Sequence, residues 1–420
     1  MRRRLPIFLA VTLIGTAGFT AWQLLADPPP IAQVALAEPA PFDVPDTPAE
    51  WRGRIDYRAL DRDLRALAQR PEMAGLAVAV VEDGRLSFVG TYGTADRTTG
   101  APVTPETQFR WASVSKTATG LLAAQLAASG ALDLSRPVTS WRTSLRLPGA
   151  AEARLTLAQL LAQQSGLTSH AYDEKLEDGE DPALLRASLA AAPLQCLPGT
   201  CYTYQNIAFD AATEILADAA GARFDEAMAA RFFRPLGMTS AGFGKAGLTS
   251  ARSWARPHNG SAVLEPRETY WRVPAAAGID SNIVDFATWM QAAMGLRPTV
   301  LSAPMLQAAM QPRVATARPY SGKLRQSLTD ARYGLGWRSF TYQGRTLAGH
   351  SGAVAGYRAT MIFDPATRTG VVAMWNSNWG IPFRIPFAVI DSYHRAPNSG
   401  WLDLSDIPLR GGAAPYSAAR

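Results

Sequence analysis

Two strand-like runs at opposite ends of the chain restrict its fold more than any other feature. The front run, LAVAVVEDGRLSFVGTYG, reads as strands over residues 76–81 and 85–92 joined at Asp83-Gly84, a pair suited to a tight hairpin turn. The back run places strands over residues 358–363 and 370–375 on either side of a turn at Asp364-Pro365. Between them, from Ser113 to about Gly295, the pattern is mostly helical, with long loops such as the acidic DEKLEDGEDP. Strands at both ends with helices between predict an α+β fold of the α/β-sandwich kind. The first and last segments pair in one antiparallel sheet with flanking helices, and a mainly helical lobe is inserted, leaving a cleft between the two.

Composition supports a large core. Of 420 residues, 47% are apolar and 9% aromatic, enough for one or two lobes, and only 18% are charged. The net charge of +6 comes from dispersed arginines rather than a basic run interleaved with aromatics, which argues against nucleic acid as a partner. At the N-terminus, Arg2-Arg3-Arg4 precedes an apolar stretch over residues 5–26 of bilayer-spanning length, so residues 1–26 read as a signal peptide or a signal anchor. Residues 27–48 are a proline-rich linker, 49–395 the globular domain and 396–420 a loose tail. Either form of leader predicts a periplasmic domain, with inner-membrane anchoring through residues 5–26 if it is not cleaved.

Ser113-Val114-Ser115-Lys116 carries the first chemical signal. Only Lys116, Lys175, Lys245 and Lys323 are lysines among 41 basic residues. Arginine cannot release its proton near neutrality, whereas a buried lysine can be tuned to act as a base. The Ala- and Leu-rich run from Ser113 to about Ser129, stopped by Gly130, predicts a helix carrying Ser113 and Lys116 on one face. A capped helix with a solvated lysine would look the same in isolation.

Two later motifs add to it. Tyr204-Gln205-Asn206 follows the Pro198-Gly199 turn and can present a phenol and an amide to one cleft. His350-Ser351-Gly352 lies in LAGHSGAVAGYRATMIFD, where Gly352 lets a substrate backbone approach a strand edge and the Ala353 amide can complete an oxyanion hole. Cys196 and Cys201 sit just before Tyr204. A disulfide there would close a short loop and hold the tyrosine, and a metal site would need a further histidine or cysteine pair, of which none is near. His170, His258 and His394 are scattered and read as structural or surface residues.

Together, in this order, the three motifs resemble the serine acyltransferases that include penicillin-binding proteins and class C β-lactamases. The resemblance runs from about Leu76 to Tyr393 and includes LLAQQSGL, RPLGMTSAGFG, PAAAGIDSNIVDFATWM and YGLGW. It departs from the classical β-lactamases at His350, where those enzymes have lysine. The family resemblance implies the same sheet-plus-lobe fold. It also implies Ser113 as nucleophile, Lys116 and Tyr204 as its proton-handling partners, and Asn206, His350, Ser351, Gly352 and Ala353 as substrate-binding residues. Such chemistry needs no metal or organic cofactor. The segment NSNWGIPFR resembles the region that supplies an amide and an arginine to a substrate carboxylate, making Arg384 a candidate for that contact and Arg358 a weaker one. Substrates expected on this basis are β-lactam, peptide-like or ester compounds, from small molecules to cell-wall peptides. Esterase, D,D-carboxypeptidase and D-amino acid amidase activities remain open, as does a non-catalytic cell-wall-binding module.

Overall fold

The computed structural model describes residues 53–397, 399–405 and 407. The expected leader and linker, and most of the expected tail, lie outside the described residues. Strands β1 (Gly75–Glu82) and β2 (Arg85–Asp96) form the front hairpin. Its turn residues Asp83 and Gly84 both have positive φ, 51° and 82°, which is what a two-residue hairpin of this twist demands. Near the other end come β3 (Leu328–Tyr333), β4 (Arg338–Tyr342), β5 (Arg345–Val354), β6 (Tyr357–Asp364) and β7 (Thr369–Trp375). Each pairs antiparallel with the next. Strand β7 then pairs antiparallel with β1, Leu76 opposite Trp375 and Val81 opposite Gly370. With two-residue edges at Ala101–Pro102 and Val314–Ala315, the sheet has nine strands among the described residues. The front and back strand runs therefore pair with each other inside the sheet, as the strand pattern predicts.

Four helices set the layers: α1 (Tyr57–Ala68), α2 (Ser115–Ala128), α3 (Ile283–Gln291) and α4 (Ile385–His394). All eight residues of β1 are buried, so both faces of the sheet must be covered. Alternation divides them. Leu76, Val78 and Val80 join Val371, Ala373 and Trp375 in a core covered by Leu60, Leu64 and Leu67 of α1 and Ile385 and Val389 of α4. Ala77, Ala79 and Val81 join Val372 and Met374 in the larger core, which includes α2 and α3. Helix α1 starts at the Asp56 cap, which accepts from the Ala59 amide, and buries Tyr57, Leu60, Leu64 and Leu67 at the three- and four-residue spacing of one helix face.

Helix α2 is buried almost all round, and its small residues let other backbone come close. A Cβ on Gly120 would lie 1.7 Å from the Leu335 carbonyl oxygen, and one on Gly336 would lie 2.1 Å from that of Lys116. The YGLGW turn therefore rests directly on α2, with the Trp337 indole donating to the Thr117 carbonyl at 3.1 Å. Two expectations change in detail. Ser113 lies in a 3₁₀ turn, Ala112–Val114, and the α-helix proper begins at Ser115. Ala112 has φ 49°, so the chain bends sharply before the serine rather than running straight into a helix. The acidic segment expected as loop opens with a helical turn, Asp173–Glu177, whose two leading carboxylates suit a helix N-terminus. Among the described residues no helix is long and apolar enough to cross a membrane.

Candidate active site

Lys116 is fully buried, and its amine makes three contacts. Nζ lies 2.7 Å from Asn206 Oδ1, 2.9 Å from the Ala276 carbonyl oxygen and 3.3 Å from Ser113 Oγ. The two shorter partners can only accept. A neutral amine has two N–H bonds and one lone pair, so donation to Asn206 and Ala276 leaves the lone pair for the Ser113 hydroxyl. Burial pushes the Lys116 pKa down to about 7, opposed by the charges of Asp173 and Asp210 and assisted by Arg338. The sequence thus brings a serine hydroxyl to a lysine that is partly neutral at physiological pH.

Tyr204 completes the cluster. Its ring lies 4.8 Å from Lys116 Nζ, and after burial Ser113 is the neighbour that acts most strongly on its hydroxyl. Burial pushes the phenol up to about 12, although Ser113 and the Arg338 charge act the other way. Tyr204 is therefore protonated near neutrality and can pass a proton, while Lys116 is the group able to accept one. The loop that carries Tyr204 is fastened on both sides. Cys196 and Cys201 form a disulfide with S–S 2.01 Å. The QQSGL segment accepts from the Gly199 and Thr203 amides through the Gln164 and Gln163 carbonyls at 2.7 and 2.8 Å, and Gln163 Oε1 accepts from the Gln205 amide at 2.7 Å.

Strand β5 forms the opposite wall. A Cβ on Gly352 would lie 2.4 Å from the Trp111 carbonyl oxygen and 2.7 Å from the Ser113 nitrogen, so only glycine lets the strand lie this close to the serine. Ser351 is engaged sideways, its Oγ 2.9 Å from both the Tyr320 hydroxyl and Thr360 Oγ1. His350 is buried, with Nδ1 2.7 Å from the Ser351 carbonyl oxygen. Nδ1 must donate there, so Nε2, 3.0 Å from the Tyr333 hydroxyl, accepts. Burial, Arg338 and Lys116 all hold its pKa well below the ordinary value. His350 is a neutral wall residue at physiological pH and supplies no cation there.

A cation that the motifs do not reveal does stand beside Tyr204. Arg338 directly follows YGLGW and stands over the rings of Tyr333, Tyr204 and Tyr202, its guanidinium carbon 5.2, 5.6 and 5.7 Å from their centroids. It donates to the Tyr202 hydroxyl at 2.8 Å, and among the described residues no carboxylate lies within ion-pair distance of it. Arg384 lies in the turn Ile381–Arg384 leading into α4, and among the described residues no hydrogen bond or ion pair joins it to Ser113, Lys116 or Tyr204. Arg358 Nη1 donates to the Val354 and Tyr357 carbonyls at 2.7 and 2.8 Å, holding its own turn. Asn376 is buried and engaged on backbone, accepting from the Gly75 amide at 2.7 Å and donating to the Ala95 carbonyl at 2.9 Å.

Two further residues join the site, Asp173 from the acidic segment and His170 three residues before it. Asn206 Nδ2 donates to Asp173 Oδ2 at 2.8 Å, and His170 Nδ1 lies 2.8 Å from the same oxygen. His170 is thus at the site rather than an incidental surface histidine. Its signal in sequence is only the three-residue spacing from Asp173. His258 meets the Arg97 amide at 3.3 Å and the Asn376 amide group at 3.1 Å, which is a structural role. Among the described residues no group of three or more His, Cys, Asp or Glu side chains could hold a metal ion.

Comparison with known proteins agrees with this geometry. A sequence model of the family described as Beta-lactamase matches residues 60–386, and the chain belongs to that family. It is 33% identical over 195 residues to Esterase EstB of Burkholderia gladioli, covering 43% of this chain and 49% of the esterase. It is 25% identical over 359 residues to the Beta-lactamase of Escherichia coli (strain K12), covering 78% of this chain and 90% of that enzyme. The chain spans 59% of the length of the Unguisins hydrolase ungD of Aspergillus violaceofuscus. The octameric penicillin-binding protein homologue from Pyrococcus abyssi shares the fold, with TM-score 0.72 at 22% identity over 82% of this chain and 78% of that one. The matched proteins named here are thus a hydrolase, an esterase, a β-lactamase and a penicillin-binding protein homologue.

Proposed function

We propose that the protein is an exported serine hydrolase that cleaves small ester or peptide-like amide substrates through an acyl-enzyme on Ser113. The observation that carries the reading is the buried Lys116 amine, held by Asn206 and Ala276 with its lone pair free for the serine. Ser113 Oγ attacks the substrate carbonyl carbon and its proton passes to Lys116. Tyr204 then protonates the leaving group and is reprotonated by Lys116, which returns to the neutral amine. The amides of Ser113 and Ala353 receive the oxyanion, and Asn206 holds Lys116 while facing the substrate amide. The disulfide and the Arg-rich, apolar start of the sequence support an oxidising, extracytoplasmic location.

Arg338 favours substrates with a carboxylate. A fixed cation in the cleft without a carboxylate partner is costly to keep desolvated, and an anionic substrate group would offset that. The same feature supports β-lactam hydrolysis as a second reading, with Arg338 in place of the lysine absent at His350. Kinetics on a cephalosporin and on neutral nitrophenyl acetate test both. Arg338→Ala is expected to lower kcat/KM for the cephalosporin by a charge-assisted contact, about 1.5–3 kcal/mol or roughly 10- to 100-fold, and to spare the neutral ester. Arg384→Ala, the competing candidate, is expected to leave both unchanged. Equal losses on both substrates in Arg338→Ala would make it a packing residue. Brisk ester cleavage with no cephalosporin turnover in the parent would remove the second reading.

A further inference from the structure

His170 and Asp173 form a dyad that the acylation chemistry does not use. The imidazole Nδ1 meets Asp173 Oδ2 at 2.8 Å, and the side chain keeps 39% of its surface exposed while that of Asp173 keeps 12%. Among the described residues Nε2 has no hydrogen-bond partner. Asp173 Oδ2 also accepts from Asn206 Nδ2, so this oxygen receives two donors, and the other carboxylate oxygen, Oδ1, is buried without a partner. Acceptance from both sides fits an ionised carboxylate and a His170 that carries its proton on Nδ1. The free Nε2 lone pair then faces away from Asp173.

Position makes this arrangement more than a surface pair. The His170 ring centroid lies 5.4 Å from that of Tyr204, whose ring flanks the Lys116 amine that meets Ser113. The His170 amide donates to the Tyr204 carbonyl at 2.9 Å, fixing the two residues to each other. The backbone is held in an uncommon conformation to achieve it, with φ of 60° at His170 and 65° at Tyr172. Histidine enters that region more readily than most residues, so the turn can present the ring without a glycine. Gln205 Nε2, on the other side, donates to the Thr168 carbonyl at 2.6 Å and ties the same turn to the Tyr204 loop.

We propose that His170, oriented by Asp173, is the base that activates water in the second half of the reaction. The proposal rests on the Ser113 acyl-enzyme. Water oxygen bonds to the acyl carbonyl carbon while its proton passes to His170 Nε2. The bond between that carbon and Ser113 Oγ then breaks as Tyr204 gives the serine a proton, which Tyr204 regains from solvent. The acid product leaves, and the imidazolium, stabilised by the Asp173 carboxylate, releases its proton to solvent through its exposed edge. Acylation and deacylation thereby use different bases, the buried Lys116 and the partly exposed His170.

Stopped-flow hydrolysis of a nitrophenyl ester, with intact-mass measurement of the enzyme during turnover, tests this. His170→Ala and His170→Gln are expected to keep the rapid burst of one nitrophenol per enzyme. Steady-state turnover should fall at least about 10²-fold, the usual scale for removal of a general base, with the acylated mass accumulating. Added imidazole should restore turnover in His170→Ala, where the ring leaves space, and not in a Lys116 variant. Melting curves matching the parent would exclude misfolding as the cause. Unchanged turnover with no accumulated adduct in both folded variants would overturn the proposal while leaving the Ser113 reading intact. Slowed turnover that imidazole does not restore would reduce His170 to a structural role, and a parent that never forms the adduct would overturn the acyl-enzyme itself.

Discussion

Lys116→Arg is expected to lower the acylation rate by at least about 10²-fold while the protein remains folded. Arginine keeps the positive charge and can still donate to Asn206 and to the Ala276 carbonyl, but it has no accessible neutral form. The parent's acylation rate should rise as pH increases through about 7, because Lys116 is tuned to about that value by burial and is active when deprotonated. The variant should lack that rise. Tyr204, pushed up to about 12, does not titrate in the same window, so the limb belongs to the lysine. Single-turnover rates between mildly acidic and mildly alkaline pH decide the point. A variant retaining the parent rate and the same pH limb would make Lys116 an electrostatic residue only.

Gly352→Ala is expected to reduce acylation on the order of 10²-fold, comparable to losing an oxyanion donor. The added methyl would lie 2.4 Å from the Trp111 carbonyl oxygen and 2.7 Å from the Ser113 nitrogen. Both neighbours are backbone, so neither can swing aside. Strand β5 must move away from the serine, taking the Ala353 amide with it. Such overpacking costs about 1–3 kcal/mol of stability, which a core holding this much buried sheet and helix should tolerate. Thermal melting and burst kinetics on the same preparation separate the two effects. A variant with parental kinetics would show that β5 contributes no oxyanion donor.

Much of this was legible in the sequence because the relevant residues are close together in the chain. Ser113 with Lys116 and Tyr204 with Asn206 are spaced so that local structure alone can turn each pair toward one cleft. The pairing of β1 with β7 followed from buried strands at both ends, with only their limits extended by a residue or more. Arg338 was hidden because nothing local marks it. It reaches the tyrosines only because Gly120 and Gly336 let the YGLGW turn settle on α2. His170 was hidden for a similar reason, since its orientation depends on a backbone bond to Tyr204 and a positive φ that composition does not reveal. The charge state of His350 was also out of reach, because Tyr333 and Arg338 join it only in the folded chain.

The most direct test of the account is the site of covalent attachment. The globular domain, treated with a fluorescent penicillin or an activated ester and then digested, should carry one acyl group on the peptide containing Ser113. Ser113→Ala, still folded by its melting curve, should carry none. An adduct mapped to another residue, or one that persists in Ser113→Ala, would contradict the assignment of Ser113 as the nucleophile.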